Sequence, residues 1–366
     1  MSNNYVYNEV EPQTLLSSYE EYEQVDFKLN FVGQAMLPNS IRIMADVILE
    51  DNTGQVLTGV NDVYYDALVG GHAFIDSIIT STQNQGILES FQSYARWVKM
   101  SRMGTVDDDD VFSSGMVCEM VKSRDEDTHK ALLGYKLSDG SHVENANMFI
   151  KPDFCLNNMT GGAVSYNKTG EITVSVRLAR INSALFGADM PGTYSFKLEN
   201  LRLAYNCVPD APEYSGAVVM GIKHALNQTI NSSHSILHVR TPITADSVVM
   251  SFISAGDENQ AIPNTLEMQT LPEVSRVEYQ FNDNTNGLIS YDIDNYAELR
   301  HYTEQAFKSV GKDKFTLAKV ENRKGYAVGF LFGYKQLVNS KIAIVINSAL
   351  SADTIAYMYL NGVLEV

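Results

Sequence analysis

The sequence has few cysteines, no long apolar run and no surplus of basic residues, and each absence excludes a class of protein. Its 366 residues include three cysteines, Cys118, Cys155 and Cys207, with no Cys-x-x-Cys spacing, so neither a disulfide framework nor a thiolate zinc site is expected. No stretch approaches the roughly 18 apolar residues of a membrane-spanning helix, and the N-terminus lacks a basic start followed by an apolar core. We therefore expect a soluble protein without a cleaved export signal.

Basic residues are outnumbered by acidic ones. Lys and Arg total 27 against 44 Asp and Glu, which gives a net charge of -17. A surface this acidic repels phosphate backbones unless basic residues are segregated, and the longest basic cluster is the short stretch around Arg323 and Lys324. No direct binding of nucleic acid is expected.

Sequence motifs of catalysis are also missing. The chain has no Gly-x-Ser-x-Gly elbow, no Walker loop and no dinucleotide-binding glycine pattern. Carboxylates are numerous, but their abundance does not locate a glycosidase pair. We expect no enzymatic activity, no catalytic residues and no cofactor.

Short segments rich in Val, Ile, Tyr and Phe make up most of the chain. Examples are "VDFKLNFV", "EITVSVRLARI" and "KIAIVI", each bounded by Gly, Asn, Asp or Pro as strands are. Strands do not alternate with helices, which favours antiparallel β architecture over a parallel α/β sheet. The sequence predicts an all-β fold.

Two segments show helical periodicity instead. After Gly86, apolar residues recur at intervals of three and four from Ile87 through Phe91 to Val98. After Gly287 the segment 292–310 shows the same spacing. Each run contains a Tyr-Ala pair, at Tyr94 and Tyr296, so we predict one helix in each half of the chain.

The nine-residue stretch "INSALFGAD" at 181–189 is nearly repeated by the eight residues "INSALSAD" at 346–353. Downstream of it, apolar residues and an Asn keep their places, with Asn200 corresponding to Asn361. Matching helix entrances and matching ends favour two similar domains in tandem rather than a short-period solenoid. In each copy the repeated stretch is expected to be a turn that enters the closing strand.

The repeat predicts the domain limits. Residues 1–25 are expected to form an N-terminal extension, residues 26–208 the first domain and residues 209–366 the second. The boundary is predicted near 206–216, where two prolines and a glycine follow the last strand of the first copy.

The first copy is longer between its helix and its closing strands. Asn182 lies 87 positions after Ala95, whereas Asn347 lies 50 after Ala297, so about 37 residues are inserted in the first copy. We place this insertion at about 103–150, as an acidic surface loop. Its exposed residues are expected to include Asp107, Asp110, Asp125, Glu126 and Asp127.

Three features have both a functional and a structural interpretation. Asp107, Asp108, Asp109 and Asp110 could bind calcium, but they lack the alternating spacing and central glycine of an EF-hand loop, which favours a solvated loop tip. His234 and His238 have the spacing of a zinc-protease helix without its Glu, in a strand-like stretch. Trp97 could stack on a sugar, but it lies beside the apolar helix face and is expected to pack inside.

Tandem sandwiches of this size, each with a helix before a long loop, resemble the double jelly-roll major capsid proteins of tailless icosahedral phages and large eukaryotic DNA viruses. The resemblance covers nearly the whole chain and implies two jelly rolls, a homotrimer with pseudo-hexagonal outline, and self-assembly into a virion shell. It implies synthesis in the host cytoplasm. The implied partners are neighbouring capsomers, other capsid proteins such as a vertex protein, and an internal membrane or membrane protein.

Two other functions stay open at this point. One is a virion spike or lectin-like protein that binds a receptor or carbohydrate, and the other is a glycan-processing enzyme on a jelly-roll scaffold. A lectin should cluster aromatic residues on one loop, but the insertion holds only Phe112, Tyr135 and Phe149.

Overall fold

Twenty-five strands account for most of the described chain. The computed structural model describes residues 5–51, 53–54, 64–66, 68–106, 124–125, 130–132, 135–136, 142–143, 146–160, 162–187, 194–211, 218–240, 245–258, 260, 264–266, 274–281, 288–293, 295–322, 327–332, 341–349 and 353–365. The strands are β1 Val6–Val10, β2 Ser18–Glu20, β3 Gln24–Leu29, β4 Gln34–Met36, β5 Arg42–Asp51, β6 Tyr64–Asp66, β7 Ile75–Thr82, β8 Gly86–Phe91, β9 Arg124–Asp125, β10 Lys130–Leu132, β11 Tyr135–Lys136, β12 His142–Val143, β13 Ala146–Ile150, β14 Met159–Thr160, β15 Val164–Ser165, β16 Ile172–Leu178, β17 Tyr194–Pro209, β18 Val218–Ile230, β19 His234–Arg240, β20 Ala245–Ser254, β21 Val274–Phe281, β22 Leu288–Asp292, β23 Val328–Leu331, β24 Lys341–Ser348 and β25 Thr354–Glu365.

Two longer helices and several short ones interrupt the strands. They are α1 Tyr94–Thr105, α2 Tyr166–Thr169, α3 Ile181–Ala184, α4 Tyr296–Lys308 and α5 Leu317–Asn322, with 3-10 turns at Gly70–Phe74 and Cys155–Asn157. Helices α1 and α4 both begin at the Tyr of the repeated Tyr-Ala pair. Each of them follows a strand, β8 or β22.

Each half of the chain contributes a four-stranded run with the same order. In the first half the order is β3-β16-β7-β8, and in the second it is β19-β24-β21-β22. Every neighbouring pair in these runs is antiparallel. Strands that occupy the same place in the two runs also come in the same order along the chain, as duplication of one domain predicts.

The opposing sheets repeat as well. In the first half β13, β5 and β17 are neighbours, and β1, β2 and β4 pair with β17; in the second half the order is β23-β20-β25-β18. The matched residues Asn200 and Asn361 lie on the matched strands β17 and β25, and in both halves the strand register shifts beside them. Asn200 has a positive φ of 51°, a conformation that Asn tolerates better than most residues.

One sheet passes through both halves. Strand β8 of the first half pairs in parallel with β18 of the second, at Ser90 and His224. The joined sheet therefore runs from β23 through β20, β25, β18, β8, β7 and β16 to β3. Buried and accessible positions alternate along β3 and β16, and the buried side chains of both halves form one continuous apolar core.

Four details differ from the sequence-based expectations. The first helix starts at Tyr94 and not after Gly86, because the stretch from Ile87 to Phe91 is strand β8. Apolar residues spaced four apart also share a face of a strand, so the periodicity alone could not separate the two structures.

The repeated "INSAL" does not have one structure. In the first copy Ile181–Ala184 is the short helix α3, whereas in the second copy the first three residues end strand β24. The equivalence that holds is between the strands that follow, β17 and β25.

The structures of the N-terminal segment and of the insertion also differ in part from the predictions. Residues 1–25 were expected to precede the first strand, but β1 and β2 lie within them and pair with β17. The predicted insertion 103–150 includes the end of α1 and the sheet strand β13, so its range is too wide at both ends. The predicted domain limits at 26–208 and 209–366 remain predictions.

Candidate assembly surfaces and the seam between the halves

The acidic loop residues singled out in the sequence lie almost wholly outside the described part of the chain. This applies to Asp107, Asp108, Asp109, Asp110, Glu126 and Asp127, while Asp125 is described only as backbone in β9. Within the insertion, β10 pairs with β9 and with β6 of the main fold. The calcium site and the exposed loop therefore remain predictions.

The structure also places the two histidines that the sequence singled out. His234 and His238 both lie on the outer face of β19, and His234 Nδ1 is 2.7 Å from Asn347 Oδ1. The described residues contain no cluster of three His, Cys, Asp or Glu side chains that could hold a metal. No helix within the described ranges has the length and apolar character needed to cross a bilayer.

The seam between the two halves is built on α1. Trp97 is fully buried, and its ring stacks on Phe307 of α4 with centroids 5.6 Å apart. Phe307 in turn stacks on Phe315 at 3.7 Å. Burying an aromatic side chain of this kind contributes about 1.5–3 kcal/mol. The interpretation of Trp97 as a packing anchor is confirmed, and it is not accessible to a sugar.

Helix α1 approaches the second half closely at Gly104. Thr316 N donates to Gly104 O at 2.9 Å, next to the start of α5. A Cβ on Gly104 would lie 2.2 Å from the Phe315 ring, far inside van der Waals contact. Only glycine lets the last turn of α1 pack against this ring.

Buried charges cross the same seam. Lys99 Nζ lies 2.5 Å from Asp66 Oδ2, and both side chains are almost completely buried. Asn264 of the second half donates to the same carboxylate at 2.6 Å, and Leu68 N donates to its other oxygen. A buried ion pair with these added hydrogen bonds tolerates the loss of a partner poorly. Nothing in the sequence signals this cluster, because its members are far apart in the chain.

A second bridge lies at the other side of α1. Trp97 Nε1 donates to Asp153 Oδ2 at 2.8 Å, and Lys312 of the second half reaches the same oxygen at 2.9 Å. One carboxylate thus fixes the Trp97 ring and pairs with a residue beyond the seam. These contacts make the seam a packed interior rather than a flexible junction.

Among the described residues, several exposed apolar side chains lie close together in sequence near the N-terminus. We call residues 5–16 the N-terminal edge segment; its exposed apolar side chains are Tyr5, Val6, Tyr7, Leu15 and Leu16. Leu15 is 71% exposed and Tyr7 59%. Strand β1 pairs with β17 along one edge, and its other edge pairs with no described strand. An open edge beside apolar side chains is typical of a surface that contacts another chain.

The buried cysteine of this sheet is not chemically activated. Burial raises the pKa of the Cys207 thiol to about 12, and burial likewise raises the pKa of the neighbouring Tyr205 to about 12. A thiol with so high a pKa forms little thiolate at neutral pH and is a poor nucleophile.

The chain is similar to known proteins in its structure but not in its sequence. No protein-family model matches the sequence, and no curated protein matches it. Among solved structures, the Faustovirus major capsid protein aligns with a TM-score of 0.59 at 10% identity, over 100% of this chain and 90% of that one. A chain from the cryo-EM structure of the Sputnik virophage aligns with a TM-score of 0.60 at 9% identity, over 99% of this chain and 86% of that one.

These matches identify the fold. The two alignments cover 100% and 99% of this chain, so the likeness in fold extends over both halves. The predicted all-β architecture of two tandem jelly rolls, a double jelly roll, is confirmed.

Proposed function

We propose that this double jelly-roll protein is the major capsid protein of a tailless icosahedral virus. The observation that carries the proposal is the full-length match in fold to a major capsid protein at nearly the same chain length. The protein acts by self-assembly, and contacts between copies take the place of an active site.

The repeated topology of the two halves suits this role. A trimer of a duplicated domain presents six similar edges, so its outline is close to a hexagon and one protein can cover a lattice with related contacts. That geometry requires each chain to hold its two halves in a fixed orientation. The aromatic stack and the buried Lys99–Asp66 pair provide such rigidity.

We assign the N-terminal edge segment to contacts between copies. Its apolar side chains and the open edge of β1 suit pairing with another copy of this chain. Its acidic residues Glu9 and Glu11 disfavour direct contact with anionic lipid. Neighbouring capsomers are the main partners, and a vertex protein and an internal membrane or membrane protein are further proposed neighbours in the virion.

The location that follows is the virion shell, after synthesis in the host cytoplasm. The acidic insertion, with Asp107 and Asp110 near its start, is proposed to project outward as a loop. Its carboxylates repel one another, which favours solvent exposure over burial.

Electron microscopy of the purified full-length chain, together with light scattering, tests the proposal. We expect a species of about three times the 40.6 kDa chain mass, with hexagonal outlines that form sheets or shells at high concentration. A protein that stays monomeric at all concentrations and binds glycans on an array would contradict the proposal and favour a lectin-like function.

A further inference from the structure

A cleft opens at the seam between the two halves. Its volume is about 360 Å³, within the range of small-molecule sites. Strands β7 and β16 and the start of α1 form the wall from the first half. Strands β18 and β25 contribute Asn227 and Tyr357 from the second half. A ligand in this cleft would contact both jelly rolls.

A buried arginine forms the inner wall of the cleft. Arg96 is only 4% exposed; its Nη2 donates to Thr265 O at 2.6 Å, and its guanidinium lies 4.4 Å from the centre of the Tyr357 ring. Its Nη1 is buried and has no hydrogen-bond partner in the described part of the protein. A buried donor without a partner costs free energy, which an acceptor placed in the cleft would recover.

Two more arginines stand at the mouth. Arg177 and Arg180 are exposed, and their guanidinium carbons lie 6.0 and 5.0 Å from the centre of the Tyr22 ring. Neither forms an ion pair with any carboxylate of the described residues. Cation–π contact with the Tyr22 ring helps to hold both side chains at the mouth of the cleft.

The carboxylates at the cleft partly offset these three charges. Glu258 accepts a hydrogen bond from the Tyr357 hydroxyl, and Asp76 forms no ion pair within the described structure. Three arginines and two carboxylates line the cleft, and the Glu21 carboxylate beside its mouth also attracts Arg180.

The start of α1 adds to the positive potential. Residues Ser93 to Arg96 line the cleft, and the side chain of the N-cap residue Ser93 makes no capping hydrogen bond. Arg96 N donates to Ser93 O at 3.2 Å, and the N–H groups of the first turn carry the positive end of the helix dipole. Helix ends of this kind bind anions when a side chain supplies further donors.

We propose that the cleft binds a small soluble oxyanion, with a phosphate or carboxylate group held by Arg96, Arg177 and Arg180 at the start of α1. Guanidinium groups bind such oxygens with paired, charge-assisted hydrogen bonds. Because the cleft joins the two halves, the anion stabilises their fixed orientation and therefore the folded chain.

Calorimetric titration of the purified full-length protein with inorganic phosphate, and separately with citrate, tests this site. Sodium chloride at matched ionic strength gives the background. We expect saturable binding of at least one of the two probes and a rise in the melting temperature that chloride does not reproduce.

Variants distinguish the cleft from the general surface. Arg177→Gln with Arg180→Gln should weaken binding by on the order of tenfold or more, because two charge-assisted contacts are lost. Arg240→Gln, on β19 and outside the cleft, removes a similar charge and should leave binding unchanged. Asp76→Asn should tighten binding several-fold, because it removes a repelling charge while keeping the shape.

The variants at the mouth are exposed, so they are expected to fold, and circular dichroism checks this. Equal affinity in the wild type and the double variant would overturn the proposal, as would the absence of saturable binding of both probes. Both results leave the proposal of capsid assembly untouched, because trimer formation is measured separately.

Discussion

At the scale of single residues, the seam depends on groups that cost free energy when a partner is lost. The Asp66 carboxylate accepts from Lys99, Asn264 and the backbone of Leu68, so its charge is compensated without water. Removing the ammonium would leave a buried carboxylate with neutral donors only.

We predict that Lys99→Met lowers the free energy of unfolding by about 3–5 kcal/mol. Denaturant titration measures this change in the free energy of unfolding. Combining Lys99→Met with Asp66→Asn should cost less than Lys99→Met alone, because no uncompensated charge remains buried. Simple additivity of the two single variants would contradict the coupling.

The Asp76 carboxyl group should make the stability of the folded protein depend on pH. Burial raises its pKa above the ordinary value of 3.8, and the attraction of Arg177 and Arg180 only partly opposes this. The folded state therefore binds the proton more tightly than the unfolded state. The stabilising effect is fully present below the unfolded-state pKa and is lost as pH rises through the folded-state pKa.

Asp76→Asn should therefore stabilise the protein at pH 7, in a buffer free of oxyanions, and the gain should shrink as the pH falls toward 4. Thermal melts across this range measure the difference. Asp353→Asn, at an exposed carboxylate, is the control and should show no such trend. A gain that is the same at every pH would rule out this account.

At the scale of elements, the strands were predictable and their ends were not. Alternation in "EITVSVRLARI" identified β16, and the repeat correctly matched β17 with β25. Ile87 to Phe91 was assigned to the helix because strand and helix both place every fourth residue on one side. Residues Ile181 to Ala184 form a short helical turn in the first copy only. This difference depends on packing that the shared pentapeptide does not encode.

The packing of helix α1 against the second half depends on Gly104. Helix propensity alone favours alanine over glycine by about 1 kcal/mol. The added Cβ would overlap the Phe315 ring, which is held by its stack on Phe307, and overpacking of this kind costs about 1–3 kcal/mol or more.

We therefore expect Gly104→Ala to destabilise the protein, as measured by its denaturation midpoint. Phe315→Leu removes the ring that causes the overlap. In that background Gly104→Ala should cost less or become stabilising, whereas an unchanged cost would show that the ring is not the cause.

At the scale of the whole molecule, the duplication can be read from the sequence, whereas the contacts that join the two copies cannot. The seam contacts involve Trp97, Asp153 and Lys312, which share no local pattern. The cleft was missed for the same reason, since Arg96 and Arg180 meet only after folding. Contacts between distant residues follow from topology, which periodicity does not specify.

The N-terminal edge segment carries the prediction about assembly. Tyr7→Ser, Leu15→Ser and Leu16→Ser together should weaken association by on the order of tenfold or more, because exposed apolar area at an interface is lost. Light scattering over a dilution series measures it. Ile236→Ser, an exposed apolar residue on β19, should leave association unchanged, and unfolding of the triple variant would show in its circular dichroism.

The parallel pairing of Ser90 with His224 has a mechanical consequence. In the proposed capsid shell, tension that pulls the two jelly rolls apart acts on a sheet that continues from one to the other. The load is carried by backbone hydrogen bonds together with the Trp97–Phe307 stack, so the chain should stretch as one stiff plate. Under such a load, failure is expected first at the borders between chains.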